Sequence, residues 1–319
     1  MALRMPFNQD FWAEYLSGQE ANLPVLPAID ALSTRVVRIL GGNPGAMHLQ
    51  GTNTYLVGTG RERILIDTGQ GFAVWIDRIA KYTATHDISI SHVLLTHWHG
   101  DHTGGVPDLL AHNPKLAGHV YKHTPDADQN AIEDGQVFAV EGATVRAVFT
   151  PGHAIDHMCF LLEEENALFT GDNVLGHGFS VAPDLGRYME SLEVMRGLCC
   201  ASGYPAHGAV IGDLPAKINE YIRHKEARIR GVLAVLLKEK ESPEAAPAAN
   251  GKADKRGKTL YEIVRAVFGM VPPEVVEQAL APFLLQVLWK LTEDRKVGFE
   301  PGDPWTRRWF AVTPRARRR

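Results

Sequence analysis

"THWHGDH", Thr96–His102, places three histidines and an aspartate within six positions. Histidine is uncommon, so a cluster of this density asks for a cause, and metal binding is the first candidate. His97 and His99 are two apart, which puts both on one side of an extended strand end. Gly100 is read as the point where the backbone turns sharply, after which Asp101 and His102 follow. One short loop can then aim two pairs of donors at two neighbouring points.

Outward from this heptad, further donors stand where short β-like runs end. "ATVRAVFT" (143–150) leads into "TPGH" with His153, "ALFTGD" (167–172) ends on Asp172, and "YPAHG" carries His207 in a turn. Loops on a rigid scaffold are the expected carriers of such groups. The seven donors divide into His97, His99 and His153 for one ion and Asp101, His102 and His207 for a second, with Asp172 bridging. Nitrogen and oxygen donors with coordination positions left open suit catalytic zinc, and the same donor types admit manganese or iron. Two such ions would make hydroxide available near neutral pH.

The rest of the chain reads as an α/β protein. "TNTYLVG" (52–58) and "RILID" (63–67), separated by Gly58-Thr59-Gly60, predict a hairpin, and "SHVLLTH" (91–97) a further strand. Helical spacing of apolar residues marks Ala73–Tyr82, Val106–His112 and Leu185–Leu198. The stretch "KEKESPEAAPAANGKADKRGK" (238–258) has no large apolar group, so 241–258 is expected to be a linker or exposed loop. Beyond it, Thr259–Phe268, a helix opened by Pro272-Pro273, a helix carrying Leu284, Leu288 and Leu291, and "KVGFEPGDPWTRRWFAV" (296–312) suggest a small winged-helix-like module. The expected division is thus an N-terminal extension 1–34, a main domain 35–240, the linker, and a C-terminal module 259–319 with a basic tail.

Composition narrows the function classes. Of 319 residues, 45% are hydrophobic and 22% charged, with a net charge of −4. That balance gives no bulk attraction to nucleic acid or to acidic membranes, and no run approaches the roughly 20 apolar residues of a membrane span. Three cysteines, Cys159, Cys199 and Cys200, make no disulfide framework. The N-terminus lacks a signal-like apolar run, so a reducing, cytoplasmic setting is expected. The Cys199-Cys200 pair is expected to be buried. His48, His86, His92, His112, His119, His123 and His224 fall outside the donor motif and are read as surface or packing residues.

H-x-H-x-D-H followed by His153, Asp172 and His207 in order resembles the metallo-β-lactamase superfamily, over roughly residues 35–225. The resemblance implies an αβ/βα sandwich with two divalent metal ions at one edge, zinc before manganese or iron. In "LIDTG" it implies that Asp67 orients a metal ligand. "GTNTYLVGTGRERILIDTG", "HMCFLLEEENALFTGDNVLGHG" and "DLGRYMESL" are similar to a narrower branch, which holds fungal polyketide thioesterases and β-lactamase-like protein 2 hydrolases. "GDNVLGHG", with Asn173 and His177, most resembles the thioesterases. One departure is Ala206, where glycine commonly precedes the histidine; a methyl group is small enough to leave metal binding intact.

The activity this implies is release of an aromatic polyketide from the acyl carrier protein of a non-reducing polyketide synthase by thioester hydrolysis, with Asp101 handling the water proton. His157, His177, Asn173, Phe72 and Trp75 are the expected substrate-mouth or supporting residues, Phe72 and Trp75 as apolar walls after the "GQG" turn (69–71). The alternatives are a metal-dependent endoribonuclease, for which Arg307, Arg308 and the arginine tail speak, and a glyoxalase II-like hydrolase of small thioesters. The winged-helix-like module is read as a packing or homodimer surface, and neither nucleic acid nor membrane is expected as a partner.

Overall fold

The computed structural model describes residues 23–45, 47–240 and 257–312. Seven strands form the first sheet in sequence order: β1 (Ile29–Ala31), β2 (Val36–Leu40), β3 (Asn53–Val57), β4 (Glu62–Ile66), β5 (Ser89–Leu94), β6 (Val120–Lys122) and β7 (Asn130–Ala131). β1 to β4 pair antiparallel, as the short turn at Gly58–Gly60 requires, and β4 to β7 pair in parallel. β1 lies inside the stretch expected to be an extension, so the sheet begins earlier than 35. Three residues are too few for alternation to show in the sequence.

A second sheet holds β8 (Val137–Val140), β9 (Ala143–Phe149), β10 (Met158–Leu162), β11 (Ala167–Gly171) and β12 (Ser202–Pro205), in the order β12-β11-β10-β9-β8. β11 and β12 are parallel because a helix, Leu185–Gly197, lies between them in the chain.

Alternation along the central strands decides which layer each residue joins. Tyr55, Val57, Ile64, Ile66 and Leu94 face the second sheet and pack with Val145, Ala147, Met158, Phe160 and Phe169. Leu56, Leu65, Val93 and Leu95 face the other way. There they meet Trp75 and Ile79 of helix α1 (Ala73–Thr85), and Val106 and Leu109 of the helix Val106–His112. Helix, sheet and sheet are therefore held by two apolar layers, the arrangement the sandwich expectation requires. On the far side of β12, Gly203 lies against Leu214 at the start of a 27-residue helix, Leu214–Lys240.

The chain divides into two compact units inside that long helix, between Tyr221 and Ile222, whereas the sequence suggested 240. An uninterrupted helical pattern carries no mark of where its contacts change. The C-terminal unit contains helix Leu260–Phe268, a short turn Pro273–Val275, a π-helical segment Val276–Leu280 and helix Ala281–Glu293. The last three run on without a break, so the two helices expected there form one continuous helical segment. Thr259 caps the first helix reciprocally with Glu262, the capping-box arrangement. Leu260, Ile263, Val264, Leu284, Leu288 and Leu291 are buried. Strands β13 (Val297–Phe299) and β14 (Trp309–Ala311) pair antiparallel as a two-stranded sheet, and Lys258 bridges to Trp309. Residue 258 therefore belongs to this unit and not to the linker. The remainder of the linker, 241–256, and the arginine tail lie outside the described residues.

Candidate metal centre

His97 lies three residues beyond β5, and its neighbours form a tight construction. Asp67, just past β4, adopts a left-handed backbone with φ of 57°. Its carboxylate accepts from the Thr96 amide at 2.8 Å, the Thr96 hydroxyl at 2.9 Å and His102 Nδ1 at 2.8 Å. A left-handed L-residue costs about 1–2 kcal/mol, and each hydrogen bond to a charged acceptor contributes about 1.5–3 kcal/mol, so the contacts prevail. Nδ1 of His102 meets this carboxylate, which sets the ring with Nε2 turned towards Asp101 and Asp172.

His99 caps a single helical turn, Gly100–Thr103, on which Asp101 and His102 sit. Gly100 has no left-handed φ, and a Cβ there would meet nothing within 4 Å. The sharp glycine turn read from the sequence is an ordinary helix start. The glycine that matters is Gly105, whose Cβ would stand 2.1 Å from the Thr68 carbonyl oxygen and 2.6 Å from the Trp75 ring.

The seven donors meet as two groups: His97, His99, His153 and Asp172 in one, and Asp101, His102 and His207 in the other. In the first, His99 Nδ1 lies 2.8 Å from His97 Nε2 and 3.1 Å from His153 Nε2, and Asp172 Oδ2 lies 3.4 Å from His153 Nε2. In the second, Asp101 Oδ2 lies 3.2 Å from both His102 Nε2 and His207 Nε2. Asp172 turns its other oxygen, Oδ1, to that group, at 3.5 Å from His102 and 3.3 Å from His207. One carboxylate therefore addresses both groups with different oxygens.

The two groups differ electrostatically. Burial pushes the imidazoles of His97 and His153 down, and brings His99 down to about 4. These rings are neutral, and His153 Nδ1 donates to the Val181 carbonyl at 2.9 Å, which leaves its Nε2 a lone pair. For His207 burial acts downward too, but the Asp172 and Asp101 carboxylates outweigh it and carry the ring up to about 10. His102 is likewise raised, burial being overcome by Asp101, Asp172 and Asp67. Without a metal, protons on these two rings balance the carboxylates.

The donor set fits two divalent cations. With zinc bonds of about 2.1 Å, tetrahedral donors stand about 3.4 Å apart, and the distances above bracket that value. His102 Nε2 and Asp172 Oδ1 are moreover buried without a hydrogen-bond partner, as atoms reserved for a cation would be.

The supporting residues differ from expectation. His157 is fully buried, not at a substrate mouth: its Nε2 accepts from the Asp172 amide at 3.1 Å, and Nδ1 lies 3.1 Å from Thr150 Oγ1. Asn173 is buried too, donating to the Thr150 carbonyl at 2.7 Å while its own carbonyl accepts from Tyr188. Both brace the loop that presents Asp172. Trp75 is a core residue whose indole donates to Thr54 at 2.9 Å, so it is no substrate wall; Phe72 remains 44% exposed. His177 is half-buried in a turn whose Gly176 amide donates to the His207 carbonyl at 2.9 Å. Cys200 is buried as expected, but Cys199 is exposed.

His48 is a site residue that sequence reasoning missed. Its Nε2 lies 3.7 Å from Asp101 Oδ2 and its ring centroid 5.6 Å from that of His207. The following Leu49 holds a left-handed φ of 55°, which for a bulky residue signals a constrained turn. The turn-rich "GGNPG" before it was the only available signal. Asp156, buried with Oδ1 3.4 Å from the Trp98 amide, was also missed.

The chain matches the model of the metallo-beta-lactamase superfamily over residues 49–202. It is 73% identical to "Lactamase-like protein nscB" of Neosartorya fischeri over 315 residues, covering 99% of this chain and 96% of that one. A protein of the same name from Aspergillus fumigatus is 72% identical over 318 residues, covering 100% of this chain and 96% of its own. Among solved structures, a beta-lactamase domain protein from Burkholderia ambifaria shares the fold, with a TM-score of 0.65 at 18% identity, over 90% of this chain and 97% of that one.

Proposed function

The chain belongs to the metallo-beta-lactamase superfamily and is a hydrolase of that type; from this premise we propose that it cleaves the thioester between an aromatic polyketide and the acyl carrier protein of its synthase. The observation that carries the hydrolytic part is Asp172, whose two oxygens face two separate donor groups at 3.4 Å from His153 and 3.3 Å from His207. Two divalent cations held there, zinc before manganese or iron, would supply a nucleophile from water at neutral pH and polarise a carbonyl.

The protein's own residues do the rest. Asp67 and the Val181 carbonyl hold His102 and His153 in the ring orientations that expose Nε2. His157 steadies the backbone of Asp172. Asp101, near Thr52 Oγ1 at 3.4 Å and His48 at 3.7 Å, stands at the edge of the second group to take the proton of the attacking water. The water oxygen joins the acyl carbon, the carbon–sulfur bond breaks, and the sulfur leaves as thiolate to accept that proton. A carboxylic acid and a free thiol result. Because thiolate is a good leaving group, no separate strong acid is needed.

Support for a thioester comes from Gly171–Gly178, similar to the polyketide thioesterases and tied to the His207 loop through the Gly176 amide. An RNA substrate is disfavoured by the net charge of −4 and by the state of two arginines. Arg307 lies over the Phe299 ring at 4.5 Å, and Arg308 bonds the Gly257 carbonyl, so both are committed within the C-terminal unit. No helix among the described residues is long and apolar enough to cross a membrane. A cytoplasmic setting, where the carrier protein would be met, suits the free thiols of Cys159, Cys199 and Cys200.

The test is a synthase lacking its own releasing domain, supplied with this protein. The expected result is release of free acid by the wild type, and none by His97→Ala or Asp172→Ala. Release by a metal-free double variant would refute the proposal. Metal-dependent cutting of RNA at physiological salt, with no thioester turnover, would replace it.

A further inference from the structure

The surface around the two donor groups is not uniform. Trp98, between two donors of the first group, is 46% exposed, with its ring centroid 4.5 Å from that of His99. Ile155, two residues beyond His153, is 77% exposed. Val181, also exposed, accepts from His153 through its carbonyl at 2.9 Å. Single exposed apolar residues are ordinary. Here three, from three different loops, adjoin donors of one group, and buried Asp156 fastens two of those loops by accepting from the Trp98 amide at 3.4 Å.

On the Asp101 side, the second group is bordered by polar side chains. His48 Nε2 lies 3.7 Å and Thr52 Oγ1 3.4 Å from Asp101 Oδ2. Asn43 donates to Thr52 Oγ1 at 3.0 Å and to Gln70 Oε1 at 3.1 Å.

We infer that the site mouth is two-sided: an apolar, ring-sized acyl body lies on Trp98, Ile155 and Val181 over the His97–His99–His153 group, and the polar arm bearing the sulfur leaves past His48 and Gln70. The identity of the cleaved bond rests on the thioester reading above; the apolar contact does not. Burying apolar surface on binding is favourable in proportion to its area, so a naphthoyl group gains where an acetyl group does not. The polar side keeps a hydrated arm in contact with hydrogen-bonding groups, which an apolar wall would strip of water at a cost.

Two measurements on zinc-loaded protein test this. The first compares kcat/KM for naphthoyl and acetyl thioesters of pantetheine; the second compares binding of 2-naphthoate and acetate by calorimetry. The wild type is expected to favour the naphthyl group at least tenfold in both. The Trp98→Ala/Ile155→Ser variant should lose most of that ratio, whereas Val194→Ser, an exposed apolar control on the helix Leu185–Gly197, should keep it. Thioester turnover with no naphthyl preference, or a preference unchanged in the double variant, overturns the two-sided mouth and leaves the thioester reading standing. Naphthoate preference that the double variant loses, with neither thioester hydrolysed, supports the mouth and overturns the thioester reading.

Discussion

Asp67 shows how much of the centre rests on one side chain that binds no metal itself. It accepts three hydrogen bonds from Thr96 and His102, from a left-handed backbone that few residues adopt. Asp67→Asn would keep the shape and the tolerance for that backbone, but it would remove the charge and bring an N–H donor towards His102 Nδ1. Loss of such an orienting partner typically costs ten- to a hundredfold in metal affinity. The expected outcome is about that loss for one of the two bound zinc ions, with the other affected much less, read by chelator competition. Equal weakening of both ions would contradict the assignment of Asp67 to the second group. His157 makes a different contribution, since its Nε2 accepts from the buried Asp172 amide. His157→Ala leaves that amide unsatisfied at a cost of about 1–3 kcal/mol. The urea midpoint should fall accordingly, and His157→Gln, which retains an acceptor, should recover part of the loss.

Ligand positions follow from where strands stop, and this is why so much of the site was legible at the level of elements. His97, Asp172 and His207 each lie one to three residues past β5, β11 and β12, and His153 follows β9. A donor motif plus strand-end positions therefore pointed to the seven residues that the structure gathers into two groups. Residues whose role depends on which way a helix faces were not legible. Trp75 and Phe72 are neighbours in sequence, yet one is core and the other surface, because α1 turns Trp75 onto Thr54 of β3. His48 belongs to no repeating pattern, and only the folding of its turn brings it to Asp101. The start of the helix Val106–His112 illustrates a tight contact. A Cβ on Gly105, at its N-cap, would lie 2.1 Å from a backbone oxygen that cannot move without shifting the β4 exit loop. Overpacking of this kind costs about 1–3 kcal/mol. Gly105→Ala should lower thermal and urea stability by that amount, whereas Gly100→Ala, whose Cβ meets no neighbour, should leave stability within a few tenths of a kcal/mol or raise it. The reverse order would mean that Gly100 is the turn-forming glycine after all.

At the scale of the whole domain, the ions would join the two sheets at one edge, because the heptad follows the first sheet and His153, Asp172 and His207 follow the second. They are not the only link there. The Asn53 amide donates to the Ala206 carbonyl at 2.7 Å, and its side chain donates to the carbonyls of Pro205 at 2.8 Å and Gly208 at 2.9 Å. Below that edge, the apolar layer from Val36 to Phe169 contains no metal donor. Removal of metal should therefore loosen the edge without unfolding the sandwich, unlike a small zinc module whose folding depends on the ion. An ion present at about a thousand times its dissociation constant stabilises by about 4 kcal/mol. For a domain of this size each kcal/mol corresponds to about 2–4 °C. Chelation should then lower Tm by roughly 10 °C per ion while the far-ultraviolet circular dichroism is retained. Readdition of zinc should restore Tm in full. Complete loss of the dichroism on chelation would show that the cations, and not Asn53 and the inter-sheet core, hold the two sheets together; an unchanged Tm would show that the seven donors bind no metal tightly enough to matter.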